Sequence, residues 1–239
     1  MLLALDAVCK SYGSLRVTDS LTLGLAEGEA LGIIGPNGAG KTTMFNLISG
    51  NVAPDSGSIA FEGRDISKWD PAARCRGGIG RTYQVPHPFG GMTVLENALV
   101  GAAFGASLSE REATVVALEV LELTGLAAKA NRLAGSLPLL DRKRLELARA
   151  LATRPKLVLL DEIAGGLTEH EVRELIEIVR QIRAGGVAII WIEHIVHALL
   201  AVVDRIAVIN YGKLLIEGAP ATVMADPEVR SVYLGVEAA

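Results

Sequence analysis

Short apolar or alternating runs at Leu2 to Val8 and Ser20 to Leu25 carry the period of β-strands, and Gly28 introduces an unbroken apolar stretch, Ala30 to Ile34, that reads as a buried strand. A helix is expected from Gly40 to about Ser49. Ser56-Gly57 leads into a strand over Ser58 to Phe61, Glu62-Gly63 supplies a hairpin turn, and Ile79 to Tyr83 predicts a further short strand.

The pattern changes at Pro86. Pro88, Gly90 and Gly91 break the chain, and Thr93 with Glu96 forms a capping-box pattern that opens a helix. Helices follow over Ser109 to Leu123, where Ser109 and Glu112 repeat the cap, and over Leu137 to Leu151. After Arg154-Pro155 strands and helices alternate again. A strand at Leu157 to Leu160 precedes a helix opened by Thr168 and Glu171, with apolar Val172, Leu175, Ile176, Val179 and Ile182 and a stop at Gly185-Gly186. Strands at Val187 to Ile192 and Arg205 to Ile209 follow, the latter turning at Tyr211-Gly212 into Lys213 to Glu217. The expected class is α/β, with a core over residues 1–87 and 153–239 interrupted by a helical segment over 88–152.

Composition narrows the function. The 239 residues are half apolar, enough for a sizeable core, and 23 Lys and Arg against 27 Asp and Glu leave a formal charge of -4. Such a balance supplies no field to draw nucleic acid, so none is expected as a partner. Cys9 and Cys75 form no CxxC pair and no signal-peptide pattern follows Met1, which points to a reducing, cytoplasmic setting. The longest apolar window, Val187 to Asn210, contains Glu193, His194, His197 and Asp204, too many polar groups for a membrane span.

Gly35-Pro36-Asn37-Gly38-Ala39-Gly40-Lys41-Thr42 fits GxxxxGK[ST] between a buried strand and a helix. In that setting backbone N–H groups converge on a nucleotide β-phosphate, Lys41 reaches the β and γ oxygens, Thr42 offers its hydroxyl to Mg²⁺, and Thr43 reaches the α-phosphate. Leu157 to Leu160 ends in Asp161 and Glu162. Asp161 is expected to hold Mg²⁺ through water and Glu162 to orient or deprotonate the water that attacks the γ-phosphate of ATP. His194 follows the next strand, where an imidazole reaches a γ-phosphate. Gln84, after Ile79 to Tyr83, is a candidate for Mg²⁺ or the water. His87, His170 and His197 read as ordinary loop or helix residues.

These elements, in this order, resemble the ATP-binding domain of the ABC (ATP-binding cassette) transporters over nearly the whole chain. The resemblance implies a P-loop NTPase (RecA-like) core with an antiparallel β subdomain and an inserted α-helical subdomain, and ATP with Mg²⁺ as cofactors. It also implies adenine stacked on Tyr12 of Lys10-Ser11-Tyr12-Gly13, and Gln84 and His194 as glutamine-loop and switch residues. Ile79 to Gln84, Arg144 to Leu151 and the tail from Glu217 to Gly235 resemble the ATP-binding subunits of branched-chain amino acid importers. A subunit of that kind sits peripherally on the inner membrane face, drives integral membrane permease subunits, and serves indirectly a periplasmic or extracellular solute-binding protein. Val85 to Met92, with Phe89 exposed, is the candidate docking surface for a permease helix.

The signature LSGGQ is absent: Leu137-Pro138-Leu139-Leu140-Asp141 stands in its place, and Ser136 lies two positions off. Pro138 removes a hydroxyl and an N–H donor together. Ile163 replaces a proline and Thr168 an aspartate. The expectation is an asymmetric dimer with a paralogous ABC ATPase, a homodimer being the alternative. A regulatory ATP-binding module of low turnover and a non-transport ABC ATPase are the other readings.

Overall fold

A computed structural model describes residues 1–234 of the chain. It begins with β1 (Leu3–Tyr12), β2 (Leu15–Leu25), β3 (Ala30–Ile34), α1 (Lys41–Ser49), β4 (Ser56–Phe61), β5 (Arg64–Asp65), α2 (Pro71–Arg76) and β6 (Ile79–Arg81). Three helices follow, α3 (Val94–Val100), α4 (Glu110–Leu123) and α5 (Leu139–Ala152). The last part runs through β7 (Leu157–Asp161), α6 (Glu169–Ala184), β8 (Ala188–Ile192), α7 (Val196–Leu200), β9 (Arg205–Asn210), β10 (Lys213–Gly218), α8 (Pro220–Ala225) and α9 (Pro227–Leu234). The tail expected to matter as far as Gly235 passes, at that residue, outside the described residues.

Two sheets result. One is antiparallel, in the order β2-β1-β4-β5, and the other runs β10-β9-β3-β8-β7-β6, parallel except for the β9–β10 hairpin. The parallel strands are buried on both faces, which is why they are continuously apolar in sequence. In β7, Leu157 and Leu159 join the core between the two sheets with Phe45 of α1, whereas Val158 and Leu160 face the core under α5 and α6. Alternate residues of one strand therefore tie two cores together, and the strand's end is fixed from both sides.

All three capping boxes expected from sequence form, at Thr93/Glu96, Ser109/Glu112 and Thr168/Glu171. The N-terminal hairpin is longer than its hydrophobic pattern suggests. Its register breaks between Leu5 and Val8 and again around Lys10, with Ala7 and Ser20 at positive φ, so bulges destroy the alternation of the outer half. Helix α2 went unpredicted because Pro-Ala-Ala-Arg-Cys-Arg has no apolar period; its signal is Asp70, which caps Ala73 N–H at 2.7 Å, with Pro71 in the first turn. Among the described residues no helix is long and apolar enough to cross a membrane.

The one buried side chain of α2 is Arg74, 1% exposed. Its guanidinium donates to the carbonyls of Leu47 and Ile48 at the C-terminus of α1, and to those of Ser67 and Trp69. Burial pushes the group down to about 10, so it is still charged at neutral pH and complements the helix end. Arg74→Met leaves four carbonyls, two of them in buried contacts, without this donor. Urea unfolding should show a loss of about 3 kcal/mol, with Arg74→Lys recovering part of it.

Candidate functional site

The loop between β3 and α1 is shaped by glycine. At Gly35, φ is +150° and a Cβ would lie 2.0 Å from the carbonyl oxygen of Ile209; at Gly40, φ is +101° and a Cβ would meet Val17 O at 2.5 Å. No side chain fits at either point, so the loop lies flat against β9 and β2. Gly40 caps α1 without a side-chain hydrogen bond, leaving the first-turn N–H groups of Lys41, Thr42 and Thr43 directed out of the helix end. Lys41 folds back over the loop and donates to Gly35 O (2.7 Å) and Pro36 O (2.9 Å). Burial pushes its ammonium down, and the charges of Glu162 and Asp161 oppose that. The loop and its lysine bring backbone N–H groups and a cation together, an arrangement suited to phosphate.

The ends of β6, β7 and β8 face this loop. Asp161, 5% exposed, accepts from Arg81 Nη2 at 3.1 Å; burial pushes its carboxyl up while Arg81 draws it down. The next residue leaves the strand abruptly. Glu162 has φ +47°, a left-handed conformation that is unusual for a side chain with a Cβ, and its N–H is held by Ile192 O at 2.9 Å. Its carboxylate is gripped on both oxygens. Gln84 Nε2 donates to Oε2 at 2.5 Å, and His194 Nε2 lies 3.0 Å from Oε1. Three sequence-predicted residues, Gln84, Glu162 and His194, thus meet, although they come from three separate strand ends.

Tyr12 lies apart from that cluster. It ends β1, half exposed, with the Lys10 ammonium 5.8 Å from its ring, in the hairpin whose other strand packs Val17 on Gly40. Thr42 is exposed at the start of α1 and Thr43 is half-buried.

Sequence reasoning overlooked Arg81, Lys143 and Glu193. Arg81 also donates to Asn46 Oδ1 (2.7 Å) and Ser49 Oγ (2.9 Å) of α1, and its signal was a charged residue closing the short strand Ile79-Gly80-Arg81. Glu193 was read only as an interruption of an apolar window. It is buried, and burial pushes its carboxyl up against the pull of the N–H groups of Ala164, His194 and Ile195. At the altered signature, Pro138 caps α5 without a side-chain hydrogen bond, and Leu139 is exposed. Asp141 is buried against Lys129 (2.5 Å). The Ser136 hydroxyl turns back and donates to Leu133 O at 2.8 Å.

A family profile described as ABC transporter matches residues 18–165, across the phosphate loop, the signature position and the β7 carboxylates. The chain belongs to the ABC transporter ATP-binding family. A second profile, branched-chain amino acid ATP-binding cassette transporter, matches residues 213–239. The high-affinity branched-chain amino acid transport ATP-binding protein LivG of Salmonella typhimurium is 36% identical, the alignment covering 98% of each chain. The lipopolysaccharide export system ATP-binding protein LptB of Haemophilus influenzae is 34% identical over 98% of this chain and 97% of that one. A solved ATP-binding cassette of an ABC transporter in its ADP conformation superposes with a TM-score of 0.88 at 31% identity, covering 98% of this chain and 99% of the other. As an ABC ATPase the chain binds nucleotide and hydrolyses ATP.

The left-handed turn at Glu162 has a measurable cost. Glu162→Ala and Glu162→Gly both delete the carboxylate, but only glycine accepts φ +47° freely. The glycine variant should be more stable than the alanine variant by about 1 kcal/mol in urea unfolding.

Proposed function

We propose that this chain is the ATP-hydrolysing subunit of an importer for branched-chain amino acids or related small solutes, acting through integral membrane permease subunits on the inner membrane face. The observation that carries the reading is the joining of an intact nucleotide site to a C-terminal segment, residues 213–239, of the branched-chain amino acid type. Full-length similarity to LivG supports it. Similarity to LptB supports a second reading, lipid export, because that relative is nearly as close.

In the proposed mechanism the first-turn amides of α1 and Lys41 take the β- and γ-phosphates, and Tyr12 stacks on adenine. Arrival of phosphate replaces the loop carbonyls that Lys41 now holds. Thr42, Asp161 and the amide oxygen of Gln84 are hard oxygen donors, and a set with one buried carboxylate fits Mg²⁺, which binds through one or two carboxylates plus substrate phosphates. Mg²⁺ supplies neutralisation of developing phosphate charge. Glu162 orients the attacking water and accepts its proton, and His194 holds the carboxylate and contacts the γ-phosphate. Gln84 and His194 each take one acceptor position on the Glu162 carboxylate, and its remaining lone pairs are left for the water.

Residues 88–152 form the helical signature subdomain in this reading, against a core of 1–87 and 153–239. Val85 to Met92 is the permease contact. That loop is pinned to α5, where Arg149 donates to His87 O at 2.7 Å and stacks on Phe89, while Val85 stays exposed. Next to it Tyr83, Phe104, Arg81 and Arg149 line a groove of about 460 Å³.

The altered signature makes the dimer asymmetric: this chain's phosphate loop faces a paralogue's intact signature, and the opposite site is weak. In the assembled heterodimer, Lys41→Ala should cut ATP turnover about a hundredfold, while the matching change in the paralogue costs little; equal losses contradict the asymmetry. For the solute, vesicles holding the chain with its permease subunits and a solute-binding protein should accumulate labelled leucine or valine when ATP is supplied to this chain's side. ATP-dependent removal of a lipid, with no amino acid uptake, would move the assignment to export.

A further inference from the structure

Lys143 belongs to α5, on the first turns after the altered signature, yet its ammonium ends in the site of its own chain. Nζ donates to the backbone carbonyl of Glu162 at 3.4 Å, and the residue is 5% exposed. Glu193 and Glu162 are the carboxylates that act on it; burial pushes the ammonium down and these two charges oppose the shift.

Glu193 explains why a buried cation is needed there. It is 1% exposed, and its two oxygens bind different loops. Oε1 accepts from Ala164 N at 2.7 Å, two residues past Glu162, and Oε2 accepts from His194 N at 2.9 Å and Ile195 N at 3.4 Å. One carboxylate thereby joins the turn after β7 to the turn after β8. Three amide donors leave part of that charge uncompensated in a buried site, and the Lys143 ammonium is a cation that feels its field.

We propose that Lys143 is a positioning residue for ATP hydrolysis. It holds the carbonyl of Glu162 while offsetting Glu193, and so couples the signature helix α5 to the left-handed turn that aims the Glu162 carboxylate. A shift of α5 relative to β7 lengthens the 3.4 Å contact and loosens the turn, so the position of the helix is registered at the hydrolytic residue within one chain. This rests on the reading of Glu162 as the residue that handles the attacking water.

The test is hydrogen exchange, followed by mass spectrometry, on the full chain and its Lys143→Met and Lys143→Arg variants, with ATP affinity and turnover measured alongside. Lys143→Met should exchange about tenfold faster over residues 162–168 and 193–197, with 144–152 unchanged, ATP affinity within about twofold and turnover about tenfold lower. Lys143→Arg should restore both exchange and turnover. Unchanged exchange in the two turns overturns the proposal, and so does faster exchange spread over all of α5, which is what a purely structural lysine would give. Should Lys143→Met fail to fold with Glu193 left as an unpaired charge, Lys143→Met/Glu193→Gln removes that charge, and its exchange is compared with Glu193→Gln alone. The exchange result stands even where turnover of the single chain is too slow to measure. Were Glu162→Gln to keep full turnover, the reading of Glu162 would fail while the exchange result for Lys143 stood, so the two are told apart.

Discussion

Two carboxylates stand side by side where β7 ends, at the bottom of a strand whose every other side chain is buried on one face or the other. Placing adjacent charges at such a point is costly unless each has its own partner, and the surrounding structure is arranged to supply them. Arg81 from β6 serves Asp161; Gln84 and His194, from the loops after β6 and β8, serve Glu162. Lys41 and Lys143 approach from the phosphate loop and from α5, and both carry the desolvation that such positions impose. The parallel sheet makes this economical, because strand ends that are remote in sequence lie next to one another in space.

The same arrangement gives internal partners to the two groups that the proposed mechanism uses. Lys41 is occupied by loop carbonyls and Glu162 by an amide and an imidazole, so each of the two groups proposed to act on phosphate and water has an internal partner. In the proposed mechanism phosphate displaces the first set directly. Gln84, which holds Glu162, also borders the loop that the permease is proposed to contact.

Much of this was legible in the sequence because the informative signals are local. The glycines and Lys41-Thr42 of the phosphate loop, the apolar strand ending in Asp161-Glu162 and the three capping boxes are each confined to a few residues. The missed features depend on distant partners. Arg81 makes sense only with Asn46, Ser49 and Asp161, and Lys143 only with the turn at Glu162. Helix α2 is stabilised by a cap and by one buried arginine, neither of which produces an amphipathic period. The bulged half of the β1–β2 hairpin failed for the opposite reason, since its residues are strand-like but their alternation is interrupted.

In the proposed mechanism ATP hydrolysis turns on the Glu162 carboxylate held by Gln84 and His194. The most direct measurement compares Glu162→Gln with the parent chain, in the assembled transporter, for ATP affinity and for turnover. The account predicts affinity within a few-fold and turnover reduced about a hundredfold or more, because the amide keeps the hydrogen-bonded position but cannot take a proton. Turnover near that of the parent, or affinity lost in step with turnover, would contradict it.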